Sequence, residues 1–214
     1  MSVPIKGLTY VLKNKLYIAL TNKCVSKSII DLRGPSFQMP SSSNFIPLEK
    51  EPSAEDVYTA VDNAFEQGIV GVSSMDSDEI TFAGIGEPLL KIDTMTEAAR
   101  MIIEKRHGAQ LRVKTSGLIK SSDSFKIAGS LAEAGINNIS ILLASDNPKQ
   151  YADIMKPTNG ANFSDMCSFV VACVEAGLNV TCAAVEAPGV NIKGTRELAY
   201  SLGAPTFIPY KYHA

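Results

Sequence analysis

The sequence has little of what marks secreted, membrane-spanning or nucleic-acid-binding proteins. It carries no long basic run, and its net charge is −2 over 214 residues. That balance argues against nucleic acid or an anionic membrane as the main partner. The longest apolar stretch, residues 169–178, is interrupted by Glu175 and is too short to span a bilayer. No apolar signal-peptide core precedes the first predicted strand. We therefore expect an intracellular, cytoplasmic protein, with an organelle matrix or stroma as the alternative.

Cysteine and histidine, the common ligands of transition metals, are also scarce. The four cysteines are Cys24, Cys167, Cys173 and Cys182, and the two histidines are His107 and His213. No two cysteines form a close C-x-x-C pair, so we interpret them as reduced thiols, most of them small core residues in a reducing compartment. Both histidines are expected to be solvated rather than to bind metal.

What the sequence does contain is an alternation of strands and helices within one expected domain, residues 1–214. Hydrophobic residues make up 45% and charged residues 20%, as in soluble globular proteins. Apolar runs bounded by turn residues predict strands at 16–20, 79–84, 110–115, 138–143 and 178–185, with a short one at 206–209.

The helices between these strands are predicted from their start signals. The expected N-terminal caps are Ser53 (with Asp56 completing a capping box), Asp93, Ser121 or Ser122, Asn147 and Asn191. The helix that starts at Ser121 or Ser122 is predicted to carry Phe125, Ala128 and Leu131 as its apolar residues and to end at Gly135.

One pattern recurs at the helix ends. Residues 66–69, 133–136 and 175–178 each read glutamate, any residue, glycine, apolar residue, and 201–204 is a weaker copy. Glycine after a helix adopts the left-handed conformation easily, so each copy predicts a helix stop followed by a new strand. The repeated unit predicts a parallel α/β sheet, either an open partial barrel or a doubly wound sheet. In both, the functional surface lies at the carboxyl ends of the strands.

Four short motifs stand at those strand ends. They are Gly84-Ile85-Gly86-Glu87-Pro88, Thr115-Ser116-Gly117, Ala144-Ser145-Asp146-Asn147-Pro148 and Glu186-Ala187-Pro188-Gly189-Val190-Asn191. Each motif alone is explained by a tight turn. The order and spacing of the motifs together carry more information.

In that order the sequence resembles the radical S-adenosylmethionine (radical SAM) superfamily, and within it the TatD-associated radical SAM proteins. The resemblance is carried by residues 16–24, 48–53, 82–88, 115–118, 139–143, 146–151, 186–190 and 197–203. It implies an α/β fold, a partial (β/α)6 TIM-like barrel with parallel strands. It also implies a SAM site in which the backbone of Gly84, Gly86, Glu87 and Pro88 receives the methionine amino group. Thr115, Ser116, Ser140 and Val185 would contact the rest of SAM.

The sequence departs from this family where the chemistry should be. Family members carry C-x3-C-x2-C after the first strand, and the three thiolates hold a four-iron four-sulfur cluster. Here the positions are occupied by Cys24, Ser28 and Asp31. Iron–sulfur clusters are held by thiolates, which match iron better than a hydroxyl or a carboxylate. We therefore expect no metal at these positions and, at most, weak SAM binding.

Three functions follow as hypotheses. The favoured one is a non-catalytic binding module or assembly subunit that has lost its cluster, hence more pseudoenzyme than enzyme. The first alternative is a radical SAM enzyme with an atypical cluster site. The second is binding of SAM or another adenosine compound without radical chemistry.

The long loop 22–52 is the expected contact with a partner protein. It carries Phe37, Met39, Phe45 and Ile46 among serines and prolines. The alternative is a loop folded back on its own chain. In either case we expect it to be ordered, by pairing of Asp31 with Arg33 or Lys27 or by burial of its apolar side chains, and to leave no open channel.

Overall fold

A computed structural model describes residues 4–69 and 79–214. Its seven strands form one sheet in chain order. They are β1 (Thr9–Leu12), β2 (Lys15–Ile18), β3 (Glu79–Phe82), β4 (Gln110–Thr115), β5 (Asn138–Leu142), β6 (Asn179–Val185) and β7 (Thr206–Tyr210). β1 is antiparallel to β2, whereas the pairs β2–β3, β3–β4, β5–β6 and β6–β7 are all parallel. The strand order has two ends, β1 and β7.

Helices connect the parallel strands. They are α1 (Ile29–Leu32), α2 (Ala54–Glu66), α3 (Ile92–Lys105), α4 (Ser121–Glu133), α5 (Pro148–Met155), α6 (Phe163–Glu175) and α7 (Ile192–Ser201). Two short 3₁₀ helices cover Ser41–Ser43 and Pro88–Lys91. None of the helices within the described residues has the length and apolar character needed to cross a membrane.

The chain divides into two compact units. The first comprises Met1–Lys23, Met39–Val113 and Glu133–Ile136, and the second comprises Cys24–Gln38, Lys114–Ala132 and Asn137–Ala214. The loop 22–52 is therefore divided: residues 24–38 belong to the second unit, and the rest to the first. A single domain over residues 1–214 stays a prediction.

The first unit contains a strand that sequence analysis did not predict. β1 pairs with β2 through a two-residue turn in which Lys13 and Asn14 have φ of 51° and 60°. Both residues are left-handed, as a hairpin turn that matches the strand twist requires. Tyr10 and Tyr17 stack across the hairpin with ring centroids 5.0 Å apart. The signal was present, since two apolar runs flank Lys-Asn and asparagine tolerates this conformation.

The core of this unit lies between its strands and helices α2 and α3. It is made of fully buried side chains from both layers: Leu16, Ile18, Val57, Ile80, Phe82, Met95, Ile102 and Leu111. The capping box of Ser53 and Asp56 at the start of α2 is confirmed. The predicted cap Asp93 is wrong, because Pro88–Lys91 is already a 3₁₀ helix and Lys91 precedes the first residue of α3.

The second unit repeats the strand–helix pattern. Its core includes Ile139, Ile141, Tyr151, Phe169, Val170, Val180, Cys182 and Ala184, all fully buried. Asn147 and Asn191 cap α5 and α7 as predicted. Of the predicted apolar residues of α4, Phe125 is 59% exposed. The buried side chains of α4 are Ser124, Ala128 and Leu131, and Phe125 lies about 100° around the helix from Ser124.

Candidate functional site

Ser28 and Asp31, predicted to stand at two positions of the cysteine motif, form a helix cap. Ser28 is the N-cap of α1, and Asp31 is the third residue of that helix. The Asp31 Oδ2 accepts from the Ser28 backbone N–H at 3.0 Å and from the Ser28 hydroxyl at 2.9 Å. The Ser28 Oγ in turn accepts from the Asp31 N–H at 3.2 Å. The pair is therefore a complete capping box.

The motif's own spacing explains this outcome. The last two positions of C-x3-C-x2-C are three residues apart, and so are the two members of a capping box. Serine followed at that distance by an acid starts a helix, whereas two thiolates at the same distance converge on a metal. The predicted pairing of Asp31 with Arg33 or Lys27 is replaced by this local pair. These oxygens are already used, so the residues present do not fit a cluster.

The cysteines, too, do not fit a cluster. Cys24 is exposed, and none of the four cysteines forms a disulfide. Burial raises the pKa of Cys167 to about 11 and that of Cys182 to about 12, and burial also raises the pKa of Cys173. A thiolate is disfavoured at all three, as the core interpretation predicts. Within the described part of the chain, no three histidine, cysteine, aspartate or glutamate side chains are grouped to hold a metal ion.

The start of segment 24–38 is held by the last residue of α5 and by the chain that follows it. The Lys27 N–H donates to the Met155 carbonyl at 2.8 Å. The Thr158 N–H and hydroxyl both donate to the Val25 carbonyl, at 2.8 and 3.1 Å. Backbone hydrogen bonds thus fix this end of the segment.

The other end of segment 24–38 is held by residues 210–214. The Arg33 guanidinium carbon lies 4.2 Å from the centroid of the Phe37 ring and 5.4 Å from that of Tyr210. The Arg33 Nε donates to the Lys211 carbonyl at 3.4 Å, and the His213 N–H donates to the Arg33 carbonyl at 2.7 Å. Arg33 therefore contacts Phe37 within the segment and Tyr210, Lys211 and His213 outside it.

Close backbone contact adds to this attachment. The Ser36 N–H donates to the His213 carbonyl at 3.4 Å, and the Ser36 hydroxyl donates to the Ala214 carbonyl. Gly34 has φ +100°, and a Cβ there would collide with the His213 carbonyl. His213, expected to be solvated, is half-buried and lies 5.3 Å from the Phe37 ring, centroid to centroid.

A cavity of about 630 Å³ lies behind this segment within the second unit. One wall comes from segment 24–38, through Lys27, Ile30, Asp31, Leu32, Gly34, Pro35 and Phe37. The other comes from Ala144, Ile154, Val185, Ala187, Val190 and Tyr212. The expectation that the loop leaves no open space is wrong for this unit. The lining is mostly apolar, and the volume is typical of small-molecule sites.

The wall opposite the segment is stiffened at the ends of β5 and β6. Ala144 has φ +60°, a left-handed conformation that costs a non-glycine residue roughly 1–2 kcal/mol. Strained backbone of this kind is common at functional sites. The Gln150 amide donates to the Gly189 carbonyl at 2.8 Å, and the Asn191 amide donates to Asp146 at 2.8 Å.

The predicted SAM residues of the second unit are distributed around the strand ends. Val185 is buried and lines the cavity. Thr115 and Ser116 are buried after β4, and the Thr115 hydroxyl accepts from the Gly117 N–H at 2.9 Å. Ser140 is half-buried within β5. Their roles toward SAM stay predictions.

The predicted SAM residues of the first unit pack against the loop after β2. A Cβ on Gly84 would lie 2.9 Å from the Ala19 Cβ, and one on Gly86 would collide with the Thr21 carbonyl. The Glu87 N–H donates to the Lys23 carbonyl at 2.8 Å. The absence of side chains at both glycines is thus explained by contacts within the chain, with the Ala19 methyl group at Gly84 and with backbone at Gly86.

The acid of the same motif has a local role as well. Glu87 is buried, and its carboxylate accepts from the Leu89 N–H at 3.1 Å, so it caps the 3₁₀ helix that begins with Pro88. Its predicted role toward SAM stays a prediction.

A polar network supports the neighbouring chain. Glu51 forms an ion pair with Lys91 and accepts from the Thr21 hydroxyl at 2.8 Å. The bond to Lys91, followed by that to Thr21, lowers the pKa of Glu51.

The remainder of the loop, residues 39–52, contacts the first unit. The Asn22 amide exchanges hydrogen bonds of 2.8 and 3.0 Å with the Leu48 backbone. Phe45 packs edge-on against Tyr10, centroid to centroid 4.8 Å, whereas Ile46 is 49% exposed. Both parts of the loop therefore contact their own units, which favours the folded-back alternative.

Similarity to solved structures identifies the fold. The chain matches the [FeFe]-hydrogenase maturase HydG from Carboxydothermus hydrogenoformans with a TM-score of 0.64 at 16% identity, over 92% of this chain and 44% of that one. It matches SuiB from Streptococcus suis bound to S-adenosylmethionine with 0.64 at 16%, over 93% and 39%. It matches TsrM from Kitasatospora setae, a radical S-adenosylmethionine methyltransferase with cobalamin and a [4Fe-4S] cluster bound, with 0.58 at 16%, over 91% and 34%.

These matches confirm the predicted fold class, α/β of the radical SAM TIM-like type. The chain spans less than half the length of each of these three structures. No protein-family model matches the chain, and no curated protein does.

Proposed function

We propose that this chain is a non-catalytic binding module with a radical SAM fold that does not assemble a four-iron four-sulfur cluster. The observation that carries the proposal is the capping box of Ser28 and Asp31. It uses the last two ligand positions of the motif for a helix start, and only Cys24 remains as a thiol at the motif.

The chemistry of the donors supports this proposal. To bind iron, the Ser28 hydroxyl would have to lose its proton and both side chains would have to leave the cap. Losing a serine N-cap costs about 1 kcal/mol, and the hard oxygens gained are poor ligands for a cluster. The other cysteines offer no replacement, because within the described residues they belong to no group of three side chains that could hold a metal ion.

Anaerobic reconstitution with iron and sulfide tests the proposal. The wild-type chain should retain no stoichiometric iron, whereas TsrM treated in parallel should show a cluster. About four irons per wild-type chain, with a cluster absorbance band, would overturn the proposal and favour the atypical enzyme. Such an enzyme would cleave SAM to deoxyadenosine and methionine under strong reductant.

The double variant Ser28→Cys with Asp31→Cys is the matched variant. It restores the donor set but removes the capping box. We expect little cluster, and no deoxyadenosine, because the segment is still fixed by residues 155–158 and 210–214. Cluster assembly in the double variant alone would identify the two donors as the whole difference.

The cavity favours a second candidate, binding of SAM or another adenosine compound without radical chemistry. It has the volume of a small-molecule site, and the predicted site residue Val185 lines it. SuiB, a protein of the same fold, is shown bound to S-adenosylmethionine. Without a cluster iron to bind the methionine group, the affinity should be weak.

Titration calorimetry with SAM and with deoxyadenosine tests this candidate. Val185→Trp would fill the cavity, and Glu87→Ala would remove the predicted carboxylate. Loss of the heat in both variants would support the predicted SAM site, and loss in Val185→Trp alone would support the cavity as the site. Equal heats in all three proteins, or none in the wild type, would rule the candidate out.

A partner protein at loop 22–52 is the weakest of these proposals, because Phe37 and Phe45 already have partners within their own units. SuiB is also shown with its precursor peptide. A peptide at the exposed Ile46 would be detected by sedimentation and lost in Ile46→Ser. Association that is unchanged in Ile46→Ser would place the contact elsewhere.

A further inference from the structure

We propose that residues 210–214 act as a latch that holds segment 24–38 closed over the cavity, with Arg33 as the positioning residue of the latch. The inference goes beyond the proposed function, and it does not depend on which ligand the cavity takes. It assigns to a segment of this chain the task of fixing the loop after the first parallel strand.

Segment 24–38 is attached at both of its ends. Its start is held by backbone hydrogen bonds of Val25 and Lys27 to residues 155–158, which need no particular side chain at either loop position. Its far end is held through Arg33, Gly34 and Ser36, all to residues 210–214. The two ends therefore depend on different kinds of contact.

The guanidinium group of Arg33 contacts both the segment and residues 210–214. Its planar guanidinium lies over Phe37 and near Tyr210 while its Nε donates to a carbonyl. Arginine stacks on aromatic rings and donates from a rigid fork, and lysine does neither in the same way. The Arg33 side chain thus bridges the segment and residues 210–214, in addition to the backbone hydrogen bonds that Arg33 and Ser36 form with His213.

Segment 24–38 forms one wall of the cavity. Six of its side chains line the cavity, and Tyr212 of the latch lines it too; the six are Lys27, Ile30, Asp31, Leu32, Pro35 and Phe37. The opposite wall is stiffened by hydrogen bonds between the loops after β5 and β6. When the latch opens, the segment can swing about its fixed start and expose Val185.

Amide hydrogen exchange of the full chain tests the latch. In Arg33→Ala, the His213 and Ser36 N–H groups should exchange at least about tenfold faster, equivalent to about 1.4 kcal/mol of local protection. The Lys27 and Thr158 N–H groups, which hold the other end, should keep their protection. Arg33→Lys should resemble Arg33→Ala.

Arg196 provides the matched control, because its guanidinium also lies over an aromatic ring, that of Phe207, in the same unit but away from the loop. Arg196→Ala should leave the His213 and Ser36 amides unchanged. Equal acceleration of all four amides in Arg33→Ala would indicate general destabilisation and overturn the latch. No acceleration at His213 would overturn it as well.

Access to the cavity is measured by thiol labelling. In Val185→Cys, the new thiol should react slowly, and adding Arg33→Ala should raise the rate about tenfold, as the more populated open state predicts. Mass spectrometry of the labelled peptide separates this thiol from Cys24. An unchanged labelling rate, in a protein whose His213 amide has lost protection, would show that the latch does not control the cavity.

Discussion

Two strand-end loops of this molecule differ in how they relate to the family pattern. The loop at 84–88 matches the motif expected from the resemblance, and segment 24–38 differs from the expected cysteine motif at Ser28 and Asp31. The first packs by backbone, with no room for a Cβ at Gly86. The second adds side-chain contacts, the Ser28–Asp31 cap and the Arg33 stack, to its backbone hydrogen bonds. Glycines that match a ligand-binding motif can therefore be explained by packing, and the residues at predicted ligand positions can form ordinary local structure.

The largest effect is expected from adding a single methyl group to the loop at 84–88. Gly86→Ala should lower the free energy of unfolding by about 3 kcal/mol, because the new Cβ collides with the Thr21 carbonyl. Urea denaturation measures it. Gly129→Ala is the control, since Gly129 lies in α4 with nothing within 4 Å, and it should stabilise by about 0.5 kcal/mol. Equal values for the two variants would mean that packing does not explain Gly86.

Segment 24–38 also contains a closely packed glycine, Gly34. Gly34→Ala should destabilise by about 2 kcal/mol, through its positive φ and the contact with the His213 carbonyl. Gly108→Ala isolates the first contribution, because Gly108 has φ +97° and nothing within 4 Å. The difference between the two denaturation midpoints reports the contact with residues 210–214. If Gly108→Ala were as harmful as Gly34→Ala, that contact would contribute nothing.

The capping box gives a smaller effect. Ser28→Ala should cost about 1 kcal/mol, measured locally as faster amide exchange at Asp31. Ser53→Ala removes the same kind of box, with Asp56 as its acid, from the much longer helix α2. If the Asp31 amide kept its protection in Ser28→Ala while the Asp56 amide lost its protection in Ser53→Ala, the Ser28 cap would not be what orders α1.

Acid should give the smallest effect in the region of the 84–88 loop. Bonds to Lys91 and Thr21 lower the pKa of Glu51, so its contribution is present above the unfolded-state pKa, about 4.3, and is lost as pH falls through the lower folded value. The protection factors of amides near Thr21, which correct the exchange rates for their intrinsic pH dependence, should therefore fall at acid pH. Glu51→Gln should remove that pH dependence, and if the dependence persisted in the variant, another group would be responsible.

Much of the fold was readable from local sequence. Serine or asparagine followed three residues later by a partner for its side chain marked the starts of α2, α5 and α7, because caps involve neighbours in the chain. Glycine after a helix end was equally local, as Gly135 and Gly177 show with φ of 83° and 79°. The β1 strand was missed because its turn lacks glycine. The cap at Asp93 was wrong because a 3₁₀ helix already preceded it.

The candidate site was less readable, since its contacts join distant residues. The sequence by itself predicted that Ser28 and Asp31 stand at two positions of a cysteine motif, and their helix cap was not predicted although their spacing is that of a capping box. It could not determine what faces Arg33, because Lys211 and His213 lie about 180 residues away along the chain. Nor could it show whether Gly86 meets a ligand or the Thr21 carbonyl. A local hydrogen bond depends on the identity of near neighbours, whereas a close approach depends on how the sheet brings separate strand ends together, and only the tertiary structure decides that.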